Sequence, residues 1–107
     1  MNSKIKSAFA DKLFEYILTL ETVEECYKFF EDVCTAHEIN AIAQRIAVAE
    51  MLDKKATYIE IAEKTGASTA TISRVNRSLI YGTDGYKLAF ERMAELNKEK
   101  ENEEENI

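Results

Sequence analysis

The stretch from Thr57 to Leu79 constrains the fold of this chain more than any other part of the sequence. Thr57 and Glu60 have the spacing of a capping box, in which each side chain binds the backbone N–H of the other residue at a helix start. Gly66 follows where a helix would end in the left-handed conformation that glycine adopts without steric cost. Ser68 can then cap a second helix. We therefore predict a short helix, a tight turn and a second helix.

The second of these predicted helices has one apolar stripe and one short, polar face. Ile72, Val75 and Leu79 are spaced at i, i+3 and i+7, so we expect them to pack inward. The opposite face comprises Thr69, Ala70, Ser73, Asn76 and Arg77. Short and polar side chains of this kind suit a helix that lies in the major groove of DNA. The pattern therefore predicts a DNA-binding helix-turn-helix.

The distribution of charge favours the same interpretation. No acidic residue occurs between Lys64 and Thr83, whereas Lys64, Arg74 and Arg77 are basic, in a chain whose net charge is −6. The acidic residues are concentrated before this segment and after Glu95. A locally basic segment attracts DNA phosphates, while acidic surroundings discourage indiscriminate binding. Double-stranded DNA is therefore the predicted partner.

Composition predicts an all-α protein. The 107 residues include no proline, no tryptophan and only three glycines, and the length is that of one small domain. No apolar run approaches the ~20 residues that cross a bilayer, and the first residues lack the apolar core of a signal peptide. We expect a cytoplasmic protein that does not associate with membranes.

Four further helices are predicted around the helix-turn-helix. Their ranges are 3–20, 22–33, 35–53 and 85–97. Two begin with capping boxes, formed by Thr22 with Glu25 and by Thr35 with Glu38. We predict one domain over residues 1–97, in which residues 1–53 dimerise and residues 57–80 form the helix-turn-helix. Residues 98–107 are rich in glutamate and are expected to form an acidic tail that frays or is disordered.

The first 53 residues carry more apolar surface than one short chain is expected to bury. Their aromatic residues include Phe9, Phe14, Tyr16, Tyr27, Phe29 and Phe30. Large exposed apolar surfaces on small domains usually mark interfaces. A homodimer formed through this half is therefore predicted, with a larger monomeric core as the alternative.

Residues with the chemistry for catalysis or metal binding are sparse. Cys26 and Cys34 are not part of a Cys-x-x-Cys pair, and His37 is the only histidine. We interpret both cysteines as small buried apolar residues rather than metal ligands. The chain also lacks a glycine-rich phosphate loop. We predict no catalytic residue, no metal and no cofactor; an enzyme would have to use Cys34 and His37.

The helix order and the amino-acid sequence of the motif resemble those of the Trp repressor superfamily, and of its YerC/YecD branch in particular. The resemblance rests on Thr-Gly-Ala-Ser-Thr-Ala-Thr-Ile-Ser-Arg-Val-Asn-Arg at residues 65–77. Ala43-Gln44-Arg45, Tyr81-Gly82 and Gly85-Tyr86 extend it to about residues 10–95. It implies a six-helix subunit in an intertwined homodimer that presents two reading heads to one face of DNA.

The resemblance also implies which residues contact DNA. Base contacts would come from the start of the second motif helix, at Ser68, Thr69, Ala70 and Ser73, whose short side chains suit readout through water or DNA shape. A two-fold dimer implies a near-palindromic operator. The full predicted DNA-binding set is Ser68, Thr69, Ala70, Ser73, Arg74, Asn76, Arg77, Lys64, Lys54 and Lys55. Arg77 and the lysines are predicted phosphate contacts.

A ligand site is implied less directly. In the tryptophan-sensing member, two arginines and a threonine hold the ligand. Thr35, Arg45 and Arg74 match these residues when the sequences are aligned by the Thr35/Glu38 capping box. A gapless alignment from the helix-turn-helix instead places Gln44 at the first arginine. Val75 replaces a glycine of the sensing protein, and its bulk should intrude on a bound ring. We expect constitutive DNA binding or an unknown effector. A tryptophan-responsive repressor and a helical protein–protein adaptor remain alternatives.

Overall fold

The computed structural model describes residues 3–105, and this part of the chain folds into six α-helices without a strand. The helices are α1 (Ala8–Ile17), α2 (Val23–Val33), α3 (Ala36–Asp53), α4 (Tyr58–Thr65), α5 (Thr69–Tyr81) and α6 (Gly85–Glu105). The prediction of an all-α, six-helix subunit is confirmed. Over the same residues, no helix is long and apolar enough to cross a membrane.

The subunit divides into two compact units, the first ending at Ile39 and the second beginning at Asn40. In the first unit, neither α1 nor α2 contains a buried residue. The second unit holds α4, α5, α6 and most of α3, and it contains the core. The boundaries predicted for a single domain over residues 1–97 stay a prediction.

The core of the second unit joins α3 to the helix-turn-helix. It consists of Val48, Ala49, Ile61, Ala67, Ile72 and Val75, with Tyr86 and Phe90 of α6 packed against it. Ile72, Val75 and Leu79, the predicted inward stripe of α5, are all buried. Burial of these side chains fixes the rotation of α5 about its own axis, because apolar area removed from water stabilises only one orientation.

Only one of the three predicted capping boxes closes completely. At α3, the Thr35 N–H donates to Glu38 Oε1 (2.9 Å) and the Glu38 N–H donates to Thr35 Oγ1 (3.1 Å). At α4, the Glu60 carboxylate instead accepts the hydroxyl of its cap residue. At α2, Glu25 accepts the N–H of the residue before the cap. An exposed carboxylate on a flexible side chain can reach several donors, and the spacing of residues in the sequence does not determine which donor it binds.

Both ends of the first predicted helix differ from the structure. The first helix begins at Ala8 rather than near Ser3, because the Ser7 backbone is extended and its hydroxyl accepts the Ala10 N–H (3.0 Å). This is the cap role that serine favours over a helix interior. The same helix ends at Ile17 rather than Leu20.

The acidic tail is helical where the structure describes it. Helix α6 continues to Glu105, so residues 98–105 extend a helix that the sequence predicts to end at Asn97, and the flexibility of this tail stays a prediction. Glutamate and lysine have high helix propensity, and no glycine or proline interrupts the segment after Gly85. Residues 106 and 107 lie outside the described part of the chain.

The cysteines also differ from the prediction. Cys26 is exposed and Cys34 is half-buried, so the expectation that both are buried is wrong for the subunit. No residue of α2, which carries Cys26, is buried.

The turn between α3 and α4 places a lysine where glycine is usual. Lys55 has φ 66°, in the left-handed region. Its N–H donates to the Leu52 carbonyl (3.0 Å) and the Ala56 N–H donates to the Met51 carbonyl (3.0 Å). This pair of bonds is the Schellman ending of a helix, in which glycine commonly takes the left-handed position. Lys55 therefore holds a strained backbone conformation beside the helix-turn-helix.

Replacing Lys55 by glycine should stabilise the protein by about 0.5–1 kcal/mol. The change removes the ~1–2 kcal/mol penalty of a Cβ in the left-handed conformation and adds ~0.5–1 kcal/mol of backbone entropy lost on folding. Urea denaturation at equal protein concentration measures the difference. Lys54→Gly is the matched control, because Lys54 does not have positive φ and its replacement should destabilise the fold. A Lys55→Gly protein no more stable than the wild type would contradict the assignment of strain.

The closed capping box predicts a pH effect at Glu38. Hydrogen bonds from the backbone and side chain of Thr35 hold the pKa of the Glu38 carboxyl below its ordinary value of 4.5. Because the folded pKa is the lower one, the bonds stabilise the folded state above pH 4.5, and this contribution is lost as pH falls through the folded pKa. An NMR titration should give Glu38 a higher pKa in Thr35→Ala and a near-native pKa in Thr35→Ser. If Glu38 has the same pKa in all three proteins, the Thr35 hydroxyl does not lower that pKa.

Candidate nucleic-acid interface

The turn between α4 and α5 has the backbone geometry that the sequence predicts. Gly66 is left-handed (φ 72°, ψ 5°), and its N–H donates to the Ala62 carbonyl at the end of α4 (2.9 Å). Ser68 is extended (φ −71°, ψ 158°), and its hydroxyl oxygen accepts the Thr71 N–H (3.1 Å). The predicted helix, turn and second helix are therefore confirmed.

Side-chain hydrogen bonds that sequence reasoning missed hold this turn. The Thr65 hydroxyl donates to the Ile61 carbonyl (2.7 Å) and accepts the Ala67 N–H (3.2 Å). Gln44 Nε2 of α3 donates to the Thr65 carbonyl (3.1 Å). Gln44 thus ties the end of α4 to α3 and positions the start of α5. Its position 21 residues before Thr65 gave no local signal for this contact.

The outward face of α5 carries the predicted reading residues. Ala70, Ser73 and Arg77 are spaced at i, i+3 and i+7, so they line up on the helix, and all three are exposed. Thr69 and Arg74 are exposed beside this line, whereas Asn76 is half-buried. The structure therefore brings most of the predicted DNA-binding residues of α5 onto one accessible surface, which we call the α5 outer face (Thr69, Ala70, Ser73, Arg74 and Arg77).

Ser68 has a different role from that of its neighbours. Its hydroxyl accepts the Thr71 N–H and donates to Thr71 Oγ1, each at 3.1 Å. The hydroxyl proton and one lone pair are therefore used at the helix start. Ser68 sets the position of α5, and its hydroxyl has little hydrogen-bonding capacity left for a base edge.

The predicted phosphate contacts are exposed. Lys64 lies in the last turn of α4, and Lys54 and Lys55 lie in the turn before α4. Within residues 3–105, the ion pairs are Lys6–Asp11, Lys12–Glu15 and Lys87–Asp84. None of them includes a basic residue of the predicted DNA-binding set, so no acidic side chain of the described residues forms an ion pair with those charges.

Two of the three predicted ligand residues line one cavity in the second unit. Arg45 and Arg74 meet there at an open cavity of about 280 Å³, which Gln44, Val75 and Tyr86 also line. Val75 is only 3% exposed, and its side chain belongs to the core. The Gln44 amide is engaged with the α4–α5 turn. Arg45 and Gln44, the two candidates from the two alignments, both border the cavity.

Thr35, the third predicted ligand residue, belongs to the first unit and is not among the residues that line this cavity. Its hydroxyl and N–H form the capping box at the start of α3.

Comparisons with known proteins agree on one family. The family model described as Trp repressor protein matches residues 9–94. YerC of Bacillus subtilis (strain 168), an uncharacterised protein, is 51% identical over 96 residues, which cover 90% of this chain and 92% of YerC.

Two crystal structures share the fold at high sequence identity. A TrpR-like protein from Eubacterium eligens ATCC 27750 is 58% identical with a TM-score of 0.83, over 87% of this chain and 96% of that chain. A candidate Trp repressor from Staphylococcus aureus is 52% identical with a TM-score of 0.81, over 85% and 91%. This chain, whose second unit holds an exposed helix-turn-helix against α3, therefore belongs to the Trp repressor family of DNA-binding regulators, in its YerC-like branch.

Proposed function

We propose that this protein is a sequence-specific transcriptional regulator that binds a near-palindromic operator as a homodimer and represses by occluding a promoter. The observation that carries the proposal is the α5 outer face, which is exposed and lies in a segment without acidic residues in a chain of net charge −6. Its assignment as a repressor rests on the family. We place its activity in the cytoplasm.

The side chains of the α5 outer face suit a helix whose N-terminal turn enters the major groove. Ala70 and Ser73 are short, so the helix backbone can approach the base edges closely. The first-turn N–H groups have no intrahelical acceptor, and the positive end of the helix dipole favours nearby phosphates. Arg77 and Lys64 are long enough to reach the backbone on either side, where they add affinity without sequence information.

The homodimer is supported by the apolar surface of the first unit. Phe9 is 92% exposed and Tyr27 is 66% exposed in the subunit, although apolar side chains of this size stabilise a protein by leaving water. A second copy would cover such residues and make the first 53 residues the dimerisation segment. A two-fold dimer of this kind presents two recognition helices about 34–36 Å apart, one turn of B-form DNA.

Tryptophan is not part of the proposal. Val75 is buried in the core beside the cavity that Arg45 and Arg74 line, and its side chain occupies volume that a glycine would leave free. We propose constitutive DNA binding, or binding controlled by an effector of another kind.

A protein–protein adaptor is the second candidate function. Tyr81 at the end of α5 is 81% exposed and Ile59 of α4 is also strongly exposed, and exposed apolar side chains on a helical pair suit protein contacts. An adaptor requires no affinity for duplex DNA, whereas a transcriptional regulator does, so a DNA-binding measurement separates the two candidate functions.

Arg77→Ala should weaken binding to every duplex and reduce its dependence on salt. One phosphate contact per subunit would be lost, so the slope of log K against log salt should fall by about 2 for the dimer. Arg92→Ala, at an exposed position of α6, is the matched control, because it changes net charge equally. Fluorescence anisotropy over a salt series measures both variants.

The control variant should keep most of the wild-type slope. Equal slopes of log K against log salt for Arg77→Ala and the wild type would show that Arg77 does not contact a phosphate. No measurable affinity of the wild type for any duplex at low salt would contradict DNA binding and favour the adaptor.

A further inference from the structure

The exposed side chains in the first turn of α5, Thr69 and Ala70, carry two methyl groups and one hydroxyl. The hydroxyls of Ser68 and Thr71 are bonded to each other, and the Ser68 oxygen also holds the Thr71 N–H. Thr71 is half-buried, whereas Thr69 and Ala70 are exposed. Ser68 is also exposed, but its hydroxyl is used at the cap, so the first exposed side chains within α5 are a threonine and an alanine, and the alanine offers only a methyl group.

Methyl groups at this position match one feature of the DNA major groove. Thymine alone among the four bases carries a C5-methyl group there, and alanine and the threonine methyl are suited to contact it. Alanine has no hydrogen-bonding group, so Ala70 can distinguish bases only by shape and apolar contact. Close approach is possible because Ala70 and Ser73, successive members of the outward line, are both short.

We propose that the first turn of α5 reads thymine methyl groups, with the Ala70 Cβ and the Thr69 methyl contacting thymine C5-methyl groups in each half-site. This inference rests on the proposed DNA-binding function and adds the class of base feature that sets specificity. Arg77 lies two turns further along the same line and serves phosphate, not bases. Ser68 acts as a positioning residue that holds this turn in place.

The test removes the methyl group from the DNA without changing any hydrogen-bonding group. Operator sequences are first selected from random duplex DNA with the full chain. Each thymine of the selected half-site is then replaced by deoxyuridine, symmetrically in both half-sites, and the dissociation constant is measured at one fixed salt concentration. At one or two positions, we expect binding to weaken about fourfold per half-site, hence about fifteenfold for the pair.

Two variants assign the contact to the protein. Ala70→Gly should abolish the difference between thymine and deoxyuridine at one position, and Thr69→Ser, which keeps the hydroxyl and loses only the methyl, should do so at a neighbouring position. Thr69→Ser also keeps the test valid if Ala70→Gly folds poorly. Ala94→Gly, at an exposed position of α6, is the matched control and should leave the thymine preference unchanged.

The outcomes separate this inference from the proposed function. Thymine-dependent affinity that either first-turn variant removes would support it. Specific operator binding with less than about twofold loss at every deoxyuridine would overturn the inference and leave DNA binding intact. A thymine preference that persists in both variants would also overturn it. If no duplex is selected, or if the protein binds DNA without sequence preference, the proposed sequence-specific DNA binding is itself overturned.

Discussion

The burial of one stripe of α5 determines how the rest of the second unit can act. Ile72 and Val75 lie in the same core as Val48 and Ala49 of α3 and Ile61 of α4. Turning α5 about its axis would expose these side chains, and large-to-small changes at such sites typically cost ~2–5 kcal/mol. The outer face of α5 is consequently held outward by packing on its opposite side. Its own side chains are exposed and lie outside this core.

Hydrogen bonds at the turn add positional accuracy to this packing. The left-handed Gly66 ends α4, the Ser68 hydroxyl begins α5, and Gln44 fastens the carbonyl of Thr65 to α3. Lys55 shows the opposite balance at the preceding turn, since a left-handed lysine is less stable than glycine but carries a charge beside α4. Stability thus favours glycine in the turn before α4, whereas a positive surface favours the lysine found there.

The sequence predicts most of this unit, because its decisive signals are local. Cap residues at Thr57 and Ser68, the glycine at position 66 and the three-residue apolar stripe of α5 each act over a few residues. Other features depend on partners that are distant or numerous. The Gln44–Thr65 hydrogen bond joins positions that are 21 residues apart. The Glu60 carboxylate binds the hydroxyl of its cap residue rather than the backbone N–H. The extension of α6 to Glu105 follows from helix propensity in a segment with little to bury. Asn76 lies at the edge of the apolar stripe, where a helical period alone does not decide burial.

The proposed second copy would cover the exposed aromatic residues of the first unit, and the α5 outer face would then act on DNA as one of a pair. Hydroxyl-radical footprinting of a selected operator with the full chain tests both at once. We predict two protected segments on one face of the duplex, with centres about one helical turn apart. A single protected segment, or no protection at saturating protein, would contradict it.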